Sequence, residues 1–334
     1  MGRKKGAVTV EMVARELGLS KSTVSRALSG KGRISPETRE RVEEYVRQAG
    51  YEAVGPMNKL ERRSTNNLAL VIPHHFVQLD LPFLRQSMGG ICRMAAQRGY
   101  DVLLCYADGK NTEQLERQLS ANKVDGVILT RTLQDDPCLE LVRRHGVPFV
   151  ALGRLRDPSA LQVDHDNTGA ARELTWLLLQ MGVRRIAYMG NRSSYTVNID
   201  RLAGFRRAME EYGLKVEPSM VYSGLDSEES RIDALESVLE QKPECLLCGD
   251  DNLAFDLLKG LNQRGIMVPG QMKLASLYDS EILQNNSPTV TAVQFDAAAL
   301  GTAACRLLLD AMAGKEVVPR QLQGYQVILR ESTK

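Results

Sequence analysis

From Leu68 onward the chain repeats one alternation, a short aliphatic run followed by a longer amphipathic stretch. LALVIP, DVLLCYA, VDGVILT, VPFVALG, RRIAYMG, ECLLCG and MKLASLY read as buried strands, and segments such as PFLRQSMGGICRMAAQRG and IDRLAGFRRAMEEYG read as helices between them. Continuous aliphatic strands joined by helices require a parallel sheet covered on both faces. Roughly 270 residues of this pattern exceed one sheet of average size, so an α/β core of two similar doubly wound lobes is expected. In such sheets ligands sit beyond the carboxyl ends of the strands.

The segment before this core has a different character. Residues 1 to 65 hold 14 Lys/Arg against 8 Asp/Glu, whereas the remainder holds 29 against 33. A small basic head on a mildly acidic body points to a polyanionic partner for the head. No apolar run is long enough to span a bilayer, and MGRKKGAVTVEM lacks the apolar stretch of a signal peptide, so a cytoplasmic protein is expected. The six cysteines lie in apolar stretches and fit buried thiols. Cys245 and Cys248 form a CxxC, but with no second pair or nearby His they read as core positions of a strand.

Within the head, Thr9 is a plausible cap for a helix carrying Val10, Val13, Ala14 and Leu17 at helical spacing, which Gly18 ends. Ser20 caps a second helix from Lys21 to about Ser29, with Val24, Ala27 and Leu28 inward. A third starts at Ser35-Pro36, turns Val42, Tyr45, Val46 and Ala49 inward, and stops at Gly50. The pattern describes a helix-turn-helix. Lys21, Ser22, Ser25 and Arg26 then share the outer face of the second helix, a surface of hydroxyls and cations suited to phosphates and to base edges in a major groove. Arg26 can fork onto guanine O6 and N7.

VTVEMVARELGLSKSTVSRALSGKGRISPETRERVEEYVRQAGY resembles the DNA-binding head of the lactose/galactose repressor (LacI/GalR) family of bacterial transcription regulators, nearly position by position. The resemblance implies that Lys21, Ser22 and Arg26 read bases, that Thr9, Ser20, Thr23 and Ser25 hold phosphates, and that Ser29 and Arg33 add DNA contacts. It also implies that residues 52 to 67, EAVGPMNKLERRSTNN, form a hinge helix on DNA, with Leu60 wedged into the minor groove between the two half-sites, on a segment that carries Lys59, Arg62 and Arg63. The usual Y-x-P-N opening is replaced here by Tyr51-Glu52-Ala53-Val54, with proline delayed to Pro56.

Polar groups beyond the strand ends mark a candidate cleft. They are His74 and His75, Arg131, Arg154, Asp164 and Asp166, Asp250 and Asp251, and Tyr278 and Asp279, with Arg201 at the start of its helix. The body, too, resembles the LacI/GalR family, in its sugar-sensing core with a type I periplasmic-binding-protein-like fold. DNTGAARELTWLLLQMGVRRIAYMG, RLAGF, GDDNLA and SLYDS carry that resemblance. Val183 stands where the family has His, Asp250 where Asn is common, and Tyr278 where the first Asp usually lies. The candidate effector residues, from the strand ends and from these segments together, are His74, His75, Arg131, Arg154, Asp166, Arg201, Asp250 and Tyr278. They suit a sugar, or a sugar acid or phosphate held by forked cationic hydrogen bonds.

The expected organisation is a head over 1–51, a hinge over 52–67 and a core over 68–334. The core divides into lobe 1, about 68–164 plus 295–322, and lobe 2, about 165–294 plus 323–334. The expected function is regulation, most simply repression, of bacterial transcription by a homodimer on a palindromic operator, associated with the nucleoid and responsive to a small molecule between the lobes. GYQVILRESTK closes on a strand without a heptad tail, so a coiled-coil tetramer is not expected. The rival reading is an α/β enzyme or ligand-binding protein acting on a carbohydrate, its head serving another role. No GxGxxG after a strand, GxxxxGK[ST], GxSxG or HExxH supports an enzyme, and neither cofactor nor metal nor catalytic residue is expected.

Overall fold

The computed structural model describes residues 10–29, 34–48, 64–74 and 82–334. Contacts divide the chain into two units, Met1–Ser64 and Thr65–Lys334. The first contains α1 (Val10–Leu17), α2 (Lys21–Ser29) and α3 (Pro36–Gln48). Gly18 follows α1 at φ +66°, a left-handed position that costs glycine nothing, and turns the chain so that the Leu19 amide donates to the Ala14 carbonyl at 2.9 Å. Ser20 Oγ accepts from the Thr23 amide at 3.1 Å and starts α2, and Ser35 Oγ does the same for Thr38 at 3.2 Å in α3. Val13, Ala14, Val24, Ala27 and Val42 form the buried centre, with Leu17, Leu28, Tyr45 and Val46 packed at its margin. Thr9, Ala49 and positions 52 to 63 of the expected hinge lie outside the described residues. Thr65 and Asn66, read from sequence as connector, are tied to the second unit instead: the Asp125 carboxylate accepts from both amides and from the Thr65 hydroxyl, at 2.9–3.0 Å.

The second unit holds two six-stranded sheets. One comprises β1 (Asn67–Ile72), β2 (Asp101–Tyr106), β3 (Gly126–Leu129), β4 (Phe149–Leu152), β5 (Gln162–His165) and β11 (Arg320–Gln323), in the order β11-β5-β4-β3-β1-β2, all parallel. The other comprises β6 (Ile186–Met189), β7 (Val221–Tyr222), β8 (Cys245–Cys248), β9 (Lys273–Ser276), β10 (Thr291–Phe295) and β12 (Tyr325–Ile328), in the order β12-β10-β9-β8-β6-β7. Only β12 runs antiparallel to its neighbour in that sheet. The two orders are the same doubly wound pattern, in each of which the order of strand addition reverses between the first and third strands while the strands stay parallel. The chain passes between the sheets three times: after β5, after β10, and at Gly324 between β11 and β12.

Alternation along each strand fills both faces. Leu68, Leu70 and Ile72 of β1 enter one apolar cluster, and Ala69 and Val71 enter another. In β8, Cys245 packs on one side of the sheet and Cys248 on the other. Three residues along a strand reverse the face, so this CxxC cannot converge on one metal or close a disulfide. Burial pushes the Cys245 thiol up to about 12 and Cys248 well above its ordinary value.

The covering helices are α4 (Pro82–Gln97), α5 (Glu113–Ser120), α6 (Pro137–His145), α7 (Asn167–Gln180), α8 (Thr196–Glu211), α9 (Glu228–Glu240), α10 (Asp251–Gln263), α11 (Glu281–Gln284) and α12 (Ala297–Met312). Having crossed back from the second sheet, α12 packs against α4, β4 and β5 of the first. The two helices approach through glycine: a Cβ on Gly301 would sit 2.1 Å from the Ser87 carbonyl oxygen, and one on Gly90 2.1 Å from that of Ala298. Gly301→Ala should therefore force the helices apart and lower stability by about 1 to 3 kcal/mol. Urea unfolding followed by circular dichroism measures this, and an unchanged midpoint would show that the contact gives way freely.

Candidate functional site

In the head, Lys21, Ser22, Ser25 and Arg26 are all exposed, on the side of α2 opposite Val24 and Ala27. The hydroxyls near the helix start also serve the cap, since Ser20 Oγ lies 2.8 Å from both Ser22 Oγ and Thr23 Oγ1. Lys21 pairs with Glu11 of α1. Both partners are exposed, so the pair is readily exchanged for another anion. Arg33, Lys59, Leu60, Arg63 and the side chain of Ser29 lie outside the described residues, as does His75 of the core.

In the core, a cavity opens between the carboxyl ends of the two sheets. Each sheet contributes its point of reversal. Thr130, Arg131 and Thr132 follow β3, and Asp250 and Asp251 follow β8. Arg201 enters from the second turn of α8, which begins earlier than the sequence pattern showed, at Thr196. Phe83, Tyr278 and Phe295 supply an aromatic wall. Tyr278 stacks on Phe295 with centroids 6.2 Å apart and meets Phe83 edge-on at 6.2 Å.

The polar groups here are desolvated. Arg201, 8% exposed, donates from Nη1 to the Gly249 carbonyl at 2.6 Å and from Nε to Asn167 Oδ1 at 3.3 Å. The Arg131 guanidinium lies 5.2 Å from the centre of the Tyr195 ring. Burial lowers the pKa of both arginines, and the Asp250 carboxylate opposes that shift. Asp250 caps α10, accepting from the Leu253 amide at 3.0 Å, and it accepts a second bond from the Asn191 side chain. Burial raises the Asp164 carboxyl to about 7, and burial with the adjacent Asp250 charge raises Asp251 to about 6.

Of the expected effector residues, Arg131, Arg201, Asp250 and Tyr278 meet in this cavity. Arg154 and Asp166 line a neighbouring recess. There Arg154 forks onto Asp200 of α8, with contacts of 2.7 to 3.1 Å, and Asp166 caps α7 through the Gly169 amide at 2.8 Å. His74 lines a separate open recess with Lys110 and Arg192, its amide bound to Asp108. Asp279 is withdrawn into a buried ion pair with Arg330. Sequence reasoning missed His165, Thr196 and Asn198, because β5 and the first turn of α8 carry no aliphatic run to locate them, and it passed over Thr132, beside Arg131 at the end of β3, because a threonine there reads as an ordinary turn residue.

The same region joins the lobes. The Thr132 and Thr196 hydroxyls lie 2.5 Å apart, the Thr196 amide donates to the Thr132 carbonyl at 3.2 Å, and Leu133 bridges Tyr195 in antiparallel fashion. A cavity with an aromatic wall and a few convergent polar groups is suited to hold a small organic molecule. Among the described residues no cluster of His, Cys, Asp or Glu could hold a metal, and no helix is long and apolar enough to cross a membrane.

Because the folded chain binds a proton at Asp251 more readily than the unfolded chain does, this group makes stability fall as pH rises from about 4 through about 6. Asp251→Asn should remove that penalty, stabilising the chain by up to about 3 kcal/mol at pH 8 and by little at pH 4. Urea midpoints across pH test this, and a constant offset between the two proteins would contradict it.

Residues 9–53 match the model of bacterial regulatory proteins of the lacI family, and residues 177–333 match that of a periplasmic binding protein-like domain. The HTH-type transcriptional regulator CelR of Thermobifida fusca is 29% identical, covering 97% of this chain and 98% of that protein. The HTH-type transcriptional regulator AscG of Escherichia coli (strain K12) is 28% identical over 97% of this chain and 98% of its own length. A solved transcriptional regulator CelR-cellobiose complex superposes with a TM-score of 0.76 at 28% identity, covering 97% of this chain and 99% of that one.

Proposed function

Since this chain belongs to the LacI family of bacterial transcriptional regulators, we propose that it binds a palindromic operator as a symmetric homodimer and represses transcription under the control of a sugar or sugar acid held between its lobes. Its place of action is then the bacterial cytoplasm, on the nucleoid. Lys21, Ser22 and Arg26 read base edges, with Ser20, Thr23, Ser25 and Ser29 among the phosphate contacts. Thr9 and Arg33 extend those contacts, and residues 52 to about 64 form the hinge, with Leu60 as its wedge and Lys59 and Arg63 beside it.

The observation that carries the effector reading is the meeting of two guanidiniums, the half-buried Arg131 and the buried Arg201, with the Asp250 carboxylate and an aromatic wall in one interlobe cavity. Aromatic faces suit the apolar faces of a sugar ring, and forked donors suit its hydroxyls or a carboxylate. The likeness to a regulator solved with cellobiose supports that class of ligand. Ligand control needs unequal affinity for two arrangements of the lobes, and a complete switch from 1:99 to 99:1 takes about 5.5 kcal/mol. Arg154, paired with Asp200 of α8, then acts on lobe closure more directly than on the ligand.

Thermal melts of the full chain against cellobiose, glucose, gluconate, glucuronate, sugar phosphates and nucleobases test this reading. A ligand present at a hundred times its Kd stabilises by about 2.7 kcal/mol. One sugar or sugar acid should raise the melting temperature of the wild type and leave Arg201→Ala unmoved. A shift retained in Arg201→Ala would move the ligand out of this cavity, and a nucleobase as the only stabiliser would overturn the sugar reading.

A further inference from the structure

His165 is the last residue of β5. It is 5% exposed, lines both the interlobe cavity and the recess around Arg154, and lies against Phe295 with ring centroids 4.5 Å apart. Its Nε2 is buried without a hydrogen-bond partner. An unpaired polar atom at such a position costs stability and needs a reason, of which an absent ligand group is one.

The rest of the ring's environment fixes what that nitrogen offers. The backbone of Asp296 favours the ring's protonated form, as a main-chain carbonyl beside a ring N–H does. As Nε2 has no partner, that N–H belongs to Nδ1. Burial first, and then the Arg201 charge, hold the imidazole neutral down to about 4. A neutral ring protonated at Nδ1 carries a lone pair at Nε2. The main chain holds the residue firmly: the His165 amide donates to Asp164 Oδ1 at 2.8 Å, and its carbonyl accepts from Asn167 Nδ2 at 3.2 Å.

We infer that His165 is a specificity-determining residue of the cleft, its Nε2 accepting a hydrogen bond from one hydroxyl of a polyhydroxylated effector. This rests on the sugar reading of the cavity. The arginines donate only, and the carboxylates accept at the expense of a desolvated charge. His165 accepts without charge, so it discriminates by hydrogen-bond polarity alone. A ligand that presents a hydroxyl there satisfies both partners. One that presents a carbonyl, a carboxylate oxygen or a methylene leaves Nε2 unpaired, and an oxygen acceptor would oppose it lone pair to lone pair.

The test uses the full chain with ¹⁵N-labelled histidine rings and cellobiose as the probe. Among the signals of the four histidines, the one missing from His165→Phe should show an Nδ1–H tautomer, and its Nε2 resonance should move on adding cellobiose. His165→Phe should weaken cellobiose binding by about tenfold or more, whereas His165→Gln, whose side-chain oxygen can accept, should recover most of the loss. A proton on Nε2 in the wild type, or equal affinity in His165→Phe, would overturn the assignment. If cellobiose does not bind the wild type, the tautomer still decides: Nδ1–H supports the acceptor and Nε2–H overturns it, and what has failed separately is the choice of cellobiose as a sugar ligand.

Discussion

A parallel sheet delivers the carboxyl ends of all its strands to one edge, and in this core two such edges face each other across a single cavity. Arg131, Asp164, Arg201, Asp250 and Asp251 are thereby brought to one cavity, where burial strips part of their water. Each must find a partner in the protein or shift its protonation equilibrium. Asp250 finds two partners, in the α10 amide and Asn191, and Arg201 finds Gly249 and Asn167. Asp164 and Asp251 shift upward. A desolvated set of donors and acceptors held by two separate sheets is the condition under which a ligand's hydroxyls count most.

The contacts that close the cavity come from the same strand ends. Thr132 and Thr196, Leu133 and Tyr195, and Arg154 and Asp200 each join one lobe to the other. A ligand that adds to these contacts favours the closed arrangement in proportion to its preference for it, and in no other way can it move the equilibrium. The chain crosses between sheets beside His165 and Phe295, both of which line the cavity. Binding and lobe geometry therefore share residues, which is what a sensor requires and a rigid scaffold does not.

Much of this was legible in the sequence. The seven aliphatic runs fall on β1, β2, β3, β4, β6, β8 and β9, because strands buried on both faces leave a signal that needs no context. β5, β7, β10 and β11 were not among those runs. QVDH, VY, TAVQF and RQLQ are short or carry polar residues, and they are strands because neighbours pair with them. The head was read from its caps and inward stripe, Ser20, Ser35, Val24 and Val42, all local features. The site was read in part. Arg131, Arg201, Asp250 and Tyr278 follow from the strand-end rule, but the same rule collected Arg154, Asp166 and His74, since it finds an edge and not the direction in which a side chain is used. His165 escaped it because its significance is an unpaired nitrogen, which only three-dimensional surroundings reveal.

The most direct test joins the two ends of the chain. Full-length protein would be used to enrich fragments from a random DNA pool, with and without the sugar that raises its melting temperature. A two-fold symmetric site should emerge, its recovery changing by at least tenfold when the sugar is present. A sugar that stabilises the protein while leaving recovery unchanged, or a pool that yields no symmetric site, would contradict it.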